Sequence, residues 1–288
     1  MDLAVLGDGF EFEKTVESLT ASGHKVTYIG PFLEGDENKQ DFARRIGAEI
    51  VTDHSSLLVC GCKDILMISY PKLIQRHELD SANFYNIHCA LLPRFRGFHG
   101  LIWAIINGEN EVGYTLHLVD EGVDSGDILH QSALEVLEDD DIGTLKNKIN
   151  QRIFNEIGPV FTAYEQGAII PRVQDAKKAI IVSRRRPEDG KIDWNWPSRR
   201  IFNFVRALTP PELPGAFTYC RGEKLVIQKA HYVGGPEYFA GTGKVMEIVE
   251  GNVLVKCGDG LLELNGVVWR GETLPAGEVL STIGLQLG

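Results

Sequence analysis

Of the eight histidines in this 288-residue chain, one sits where an imidazole can do chemistry. Asn86-Ile87-His88 closes an apolar run, Phe84 to His88, that reads as a β-strand. Residues two apart in an extended segment share a face, so the carboxamide of Asn86 and the imidazole of His88 project together from the strand end. In open α/β sheets that edge is where ligands gather. An amide N–H can bond a developing oxyanion, and an imidazole that titrates near neutrality can accept a proton. The run Asp120-Glu-Gly-Val-Asp-Ser-Gly-Asp127 gathers acids in a Gly-bounded turn. Taken alone, the same letters also describe a half-buried strand histidine, a strand-end amide and an ordinary turn aspartate. His117, on a later strand, is either core or support for the site.

The elements that must position these groups alternate. Strand-like runs at Leu3 to Leu6, Lys25 to Ile29, Glu49 to Thr52, Ile65 to Ser69 and Phe84 to His88 are interleaved with helical patterns at Phe10 to Leu19 and Asn38 to Ile46. This is the signature of a parallel sheet covered by helices. Further strands are read at Gly113 to Val119 and Ile128 to Val136, and a short helix at Leu101 to Ile106. An amphipathic helix carries Ile149, Ile153, Ile157, Val160 and Phe161, with Gly158-Pro159 expected to kink or restart it. Gly7-Asp-Gly9 after the first strand lacks the third glycine of a dinucleotide fingerprint, since position 12 is Phe, so it reads as a structural turn. After a polar, turn-rich stretch from Ser183 to Gly190, a helix is expected within Trp194 to Leu208. Five short β-rich runs then suggest a small barrel.

Composition narrows the classes. Hydrophobic residues make up 43%, as in a globular protein with a proper core. The N-terminal Met-Asp-Leu-Ala-Val-Leu-Gly reads as a first strand and not as a signal peptide, and no apolar run is long enough to span a bilayer, so a cytoplasmic location is expected. Five cysteines without a framework fit reduced thiols, and Cys60-Gly-Cys62 lacks the spacing and second pair of a metal site. The net charge is −11; from Arg184 onward 13 basic residues face 12 acidic ones, and before it 16 face 28. Neither part has the basic footprint that binding to a nucleic-acid backbone needs.

The ordered combination of Asn86-Ile-His-Cys-Ala-Leu-Leu-Pro-Arg-Phe-Arg-Gly97, Trp103-Ala-Ile-Ile-Asn-Gly-Glu109, Gly113-Tyr-Thr-Leu-His117, Asp120 to Ile128, Arg184 to Trp194 and Pro214-Gly-Ala-Phe217 resembles the formyltetrahydrofolate-dependent formyltransferases. That family includes methionyl-tRNA formyltransferase and the nucleotide-sugar N-formyltransferases. The resemblance implies an α/β fold: a Rossmann-like catalytic domain with an open, mostly parallel sheet (1–183), a linker with a helix (184–205) and an OB-like β domain (206–288). It implies 10-formyltetrahydrofolate as donor, no metal, and a catalytic trio of Asn86, His88 and Asp124. In that reading Asn86 donates to the oxyanion of the tetrahedral intermediate and His88 takes the proton of the amine. Asp124 orients His88 and raises its pKa, while Asp120 and Asp127 shape the loop.

By the same resemblance the donor pocket involves Lys72, Leu73, Ile74, Phe98, Asp120, Glu121, Gly122 and Val123, much of it through backbone groups. Lys72 reads equally well as a solvated lysine. Where UDP-aminoarabinose formyltransferases carry an Arg after the Arg-Gly pair, this chain has Phe98, which is expected to pack or stack. Arg94 and Arg96 suit either a diphosphate or a glutamate tail, or else pin the loop to nearby acids. Trp103 is read either as pocket wall or as core. From Arg206 onward 7 basic residues stand against 9 acidic ones, which favours a small acceptor, the amino group of a nucleotide-linked amino sugar. Methionyl-tRNA, an amino-acid-derived hydroxylamine or a carrier-bound amine are the enzymatic alternatives, and an inactive folate-binding relative is the non-enzymatic one. A homodimer is expected only by analogy with the sugar enzymes.

Overall fold

The computed structural model describes residues 1–31, 36–235 and 240–288. The chain divides into two compact units: Met1–Gly100, Glu111–Glu135 and Lys146–Ser183 form the first, and Leu101–Asn110, Val136–Leu145 and Arg184–Gly288 the second. Two short segments read as part of the N-terminal region, and the linker with its helix, therefore pack in the second unit.

The first unit opens with strand and helix in alternation: β1 (Asp2–Gly7), α1 (Phe12–Ala21), β2 (Lys25–Gly30), α2 (Glu37–Ile46), β3 (Glu49–Ile50), α3 (His54–Val59), β4 (Asp64–Ile68), α4 (Arg76–Leu79) and β5 (Asn83–His88). The two-residue β6 (Arg96–Gly97) follows, then α5 (Gly100–Ile106), which from Leu101 on is assigned to the second unit, β7 (Glu111–Leu118), β8 (Ile128–Glu135), α6 (Ile142–Glu165), whose residues before Lys146 are likewise assigned there, and β9 (Ile181–Val182). Seven strands form one sheet in the order β3-β2-β1-β4-β5-β7-β8. The first five are parallel, while β7 and β8 add as an antiparallel extension. Leu3 to Leu6 of β1 and Ile65, Leu66 and Ile68 of β4 are wholly buried. Such near-continuous apolar runs are what strands covered on both faces require.

Local signals set the helix ends. Asp36 caps α2 by accepting from Lys39 N–H, and Gly47 closes it in the left-handed conformation at φ 73°. Asp53 caps α3 through Ser56 N–H. Of the kink or restart expected at Gly158-Pro159, the restart does not occur: α6 runs from Ile142 to Glu165 with Pro159 inside it. Gly158 is instead a contact point. Its N–H donates to Ser18 Oγ at 2.9 Å, and a Cβ there would stand 2.2 Å from the Ser18 carbonyl oxygen. The glycine lets α6 lie directly on α1.

The second unit contains α7 (Ser198–Arg206), β10 (Ala216–Cys220), β11 (Glu223–Gly234), β12 (Val245–Val249), β13 (Asn252–Lys256), β14 (Leu261–Trp269), β15 (Glu272–Pro275) and α8 (Ala276–Val279). Its strands are antiparallel, ordered β10-β11-β14-β13-β12, with β15 on β14. β11 is longer than the short β-rich runs expected there, since pairing with β14 carries it through a polar stretch to Gly234. The last residues join both sheet edges. Leu287 bridges Cys220 at the end of β10, and Gln286 bridges Lys244 just before β12. This closure is what makes the β-rich unit barrel-like.

Gly158→Val should lower the unfolding free energy by about 1–3 kcal/mol, the usual cost of overpacking. Chemical denaturation checks this, and an unchanged midpoint would show that α1 and α6 yield freely.

Candidate active site

β7 lies antiparallel to β5, with His117 opposite Asn86 and Thr115 opposite His88. Beyond His88 the chain folds back: Ala90 N–H donates to the His88 carbonyl at 2.9 Å, and Thr115 Oγ1 donates to the Ala90 carbonyl at 2.7 Å. The turn brings Phe95, itself at φ 59°, under the imidazole, so that its carbonyl oxygen lies 2.7 Å from His88 Nε2. A carbonyl only accepts. The proton of neutral His88 is therefore on Nε2, and its lone pair is on Nδ1, facing Asp124 Oδ2 at 3.5 Å.

Asp124 is held from every side. It occupies the left-handed region at φ 49°, a conformation that costs a non-glycine residue on the order of 1–3 kcal/mol. Its Oδ2 accepts from Gly97 N–H at 2.8 Å and its Oδ1 from Asn86 Nδ2 at 3.3 Å. Its backbone carbonyl accepts from Gln174 Nε2 at 2.9 Å. Two glycines make this possible. Gly97, at φ 96°, would drive a Cβ to 2.5 Å from the Val182 carbonyl, and Gly126 would drive one to 1.9 Å from that of Leu118.

His117 completes the cluster. Its Nδ1 lies 2.7 Å from the Leu118 carbonyl and so carries the proton, which leaves Nε2 to accept from Asn86 Nδ2 at 3.1 Å. Both N–H groups of Asn86 are thus committed, one to His117 and one to Asp124. Turning the amide over would set its oxygen against the Asp124 carboxylate. The resting site accordingly offers an Asn86 oxygen that accepts, where the sequence suggested a donor.

The electrostatics differ from expectation in sign as well. Burial disfavours charge on His88 and outweighs the opposing pull of Asp124 and Phe95, so its pKa falls below the ordinary imidazole value. The sequence reading named the carboxylate and missed the larger effect. Burial also acts on Asp124, but there the neighbouring His117 and His88 and the Gly97 N–H win, and its pKa drops to about 2. Neutral imidazole beside ionised carboxylate is the resting state.

Residues 57–156 match the family described as formyl transferase, and residues 184–282 match the formyl transferase C-terminal domain. A methionyl-tRNA formyltransferase of Citrifermentans bemidjiense is 30% identical over 227 residues, covering 78% of this chain and 70% of that one. The chain belongs to the formyl transferase family. A methionyl-tRNA formyltransferase of Anaeromyxobacter sp. (strain K) is 40% identical over 199 residues, or 68% of this chain and 63% of that protein. The chain thus spans under two thirds of the length of the first relatives it matches. Among solved structures, the sugar 3N-formyl transferase WlaRD superposes with a TM-score of 0.72 at 19% identity, covering 92% of this chain and 96% of that one. At that identity the likeness speaks for the fold.

On this formyl transferase frame the residues expected around the donor fall into distinct groups. Arg76 Nη1 meets Glu121 Oε1 at 3.0 Å and so ties the first residue of α4, where the loop after β4 ends, to the loop after β7. Leu73 (80% exposed), Val123 and Phe98 (both 47%) leave apolar surface on these loops and beside Gly97. Ile74, by contrast, is core. Lys72 pairs with Asp53 at 3.3 Å. Asp120 Oδ1 accepts from Gly122 N–H at 3.0 Å and Ser125 Oγ at 2.7 Å. Arg96 is spent on Gln174 Oε1, at 2.7 and 3.1 Å, and not on an acid or an open anion site. The Arg94 guanidinium lies over the Phe95 ring, 5.2 Å from its centroid. Trp103 lies in the second unit beneath Arg185, 5.0 Å away, which also covers Phe204. Gln174 went unread in the sequence, where a lone Gln in a loop gives no signal; Gly97 was readable only through its Arg-Gly context.

Among the described residues no group of three or more His, Cys, Asp and Glu is placed to hold a metal ion, and no helix is long and apolar enough to cross a membrane.

His88, followed by NMR in histidine-labelled protein and assigned with His88→Asn, should titrate below pH 6.5. In Asp124→Asn, which removes the carboxylate that favours the imidazolium, it should titrate lower still. A rise in the variant would reverse the assigned electrostatics.

Proposed function

We propose that this chain moves a formyl group from 10-formyltetrahydrofolate to the amino group of a nucleotide-linked amino sugar. The observation that carries the reading is the pairing of a buried, neutral His88 with an ionised Asp124 at the sheet's C-terminal edge, beside an Asn86 oxygen able to accept. The apolar surface of Leu73, Val123 and Phe98 fits the flat ring system of a folate donor, with the Arg76–Glu121 pair fastening the two loops around it. When bound, the donor supplies an activated formyl carbon.

The chain's own residues then divide the work. Asn86 Oδ1 accepts an N–H of the incoming amine and orients its lone pair. His88 takes the departing proton at Nδ1, the nitrogen that is free in its resting tautomer, and Nε2–H stays anchored on Phe95. Asp124 meets the new Nδ1–H from 3.5 Å, and the imidazolium offsets the negative charge that develops on the formyl oxygen. His117 accepts from Asn86 and so holds the amide whose other N–H reaches Asp124.

The acceptor follows from charge. With 7 basic against 9 acidic residues from Arg206 onward, the β-rich part does not draw in a polyanion. Methionyl-tRNA is the second reading, favoured by the names of relatives 30–40% identical to this chain.

With formyltetrahydrofolate supplied, turnover is expected on nucleotide-linked amino sugars and not on charged initiator methionyl-tRNA; the reverse pattern would overturn the acceptor. His88→Asn and Asp124→Ala should each lower kcat by about 10²–10⁴, the range for lost acid–base catalysis. Near-full activity in either would remove that residue from the chemistry.

A further inference from the structure

His54 opens α3, directly after the capping Asp53, and is only 5% exposed. A buried imidazole needs partners for its nitrogens, and both partners here come from one stretch of chain. The Tyr70 hydroxyl, just beyond β4, lies 2.9 Å from Nδ1 and also accepts from the His54 backbone N–H at 3.3 Å. The carboxylate of the buried Glu78, on α4, lies 2.7 Å from Nε2. The set then closes on the loop between them, since Glu78 Oε2 accepts from Gln75 N–H at 2.7 Å.

Proton positions in this set are fixed. Burial works against charge on Glu78, but the Gln75 N–H and His54 outweigh it and hold its pKa below the ordinary carboxylate value. Burial pushes the Tyr70 hydroxyl up, so it keeps its proton. An ionised carboxylate only accepts. The proton of neutral His54 is therefore on Nε2, and Nδ1 accepts from the Tyr70 O–H. The ring is also wedged edge-on between two aromatics, with centroids 5.7 Å from Tyr70 and 6.3 Å from Phe84.

A buried polar set of this kind is at best even in stability with apolar packing of the same shape. What directional bonds add is a fixed geometry, and the geometry fixed here is that of residues 70–78. Within that stretch Ile74 is anchored in the core beside Leu57 and Phe84, while its neighbour Leu73 is turned out to 80% exposure. Lys72 is tied to Asp53 at 3.3 Å, an exposed contact that contributes little alone. Arg76 meets Glu121, in the loop that carries Asp124. Residues 53 and 54 thus hold a loop whose free surface is Leu73 and whose far end reaches the acidic loop.

We propose that His54 is a positioning residue for the donor: by holding Tyr70 and Glu78 at the two ends of this loop, it presents Leu73 to the folate ring system. This rests on the formyl-transfer reading and deepens it. His54 touches no reacting atom. It acts by ordering the loop before the donor arrives, so that binding does not have to supply that ordering. The acceptor and the proton transfer at His88 do not depend on it.

The test is calorimetry of 5-formyltetrahydrofolate, an isomer of the donor, with wild type, Tyr70→Phe and His54→Leu. Leu19→Ala, a core truncation on α1, is the control for lost stability alone. Tyr70→Phe removes one hydroxyl and should weaken binding about three- to tenfold, the contribution of one hydrogen bond. His54→Leu, which releases both ends of the loop, should weaken it further, and Leu19→Ala should bind as wild type does. On the acceptor that wild type formylates, the donor KM should rise in step while kcat and the acceptor KM stay unchanged. Wild-type affinity in both loop variants, equal weakening in Leu19→Ala, or a fall in kcat at constant donor KM would overturn the assignment. A wild type that does not bind 5-formyltetrahydrofolate would overturn the folate reading itself, and this inference with it.

Discussion

Everything at the strand edge depends on one strained residue. Asp124 sits in the left-handed region, and both its carboxylate oxygens and its carbonyl are already claimed. That strain persists because the surroundings over-determine it. Gly97 presents an N–H that only a glycine could bring so near Val182, Gly126 lets the loop close on Leu118, and Gln174 clamps the backbone. Arg96 in turn holds Gln174. Arg96 thus reaches the site through the backbone of the acidic loop, with Gln174 between them. An arginine that appears made for an anion is here a fastening.

The same over-determination decides tautomers. Two carbonyls, Phe95 and Leu118, each take a histidine N–H, at Nε2 of His88 and Nδ1 of His117. The remaining nitrogens face Asp124. Neither imidazole can exchange its proton positions without losing a short bond to a fixed backbone oxygen. The site is therefore preorganised in proton position as well as in geometry, which an isolated Asn-x-His cannot express.

This explains what could and could not be read in the sequence. The parallel strands were legible because strands covered on both faces must be apolar nearly throughout, as at Leu3 to Leu6 and Ile65 to Ile68. The pairing of Asn86 with His88 was legible because alternation along a strand is rigid geometry. The direction of the His88 shift was not, since a carboxylate is a letter whereas burial is a property of the fold. The Asn86 amide was misjudged for a similar reason: what it offers a substrate depends on what His117 and Asp124 have already taken. Gly158-Pro159 spelled a break and delivered a contact, because the cost of proline inside a helix was outweighed by packing on α1 that periodicity does not reveal.

The edge also holds two buried carboxyl groups with opposite fates. Burial alone would raise both. Asp124 escapes because two neighbouring histidines and a backbone N–H act together, bringing it to about 2. Glu11 is met only by a hydroxyl, a thiol, its own backbone N–H and one lysine charge, and it rises to about 7. Groups whose surroundings push their pKa values this far apart are suited to different tasks. One stays ionised through the working range, as a partner for an imidazolium must, and the other changes charge close to neutrality.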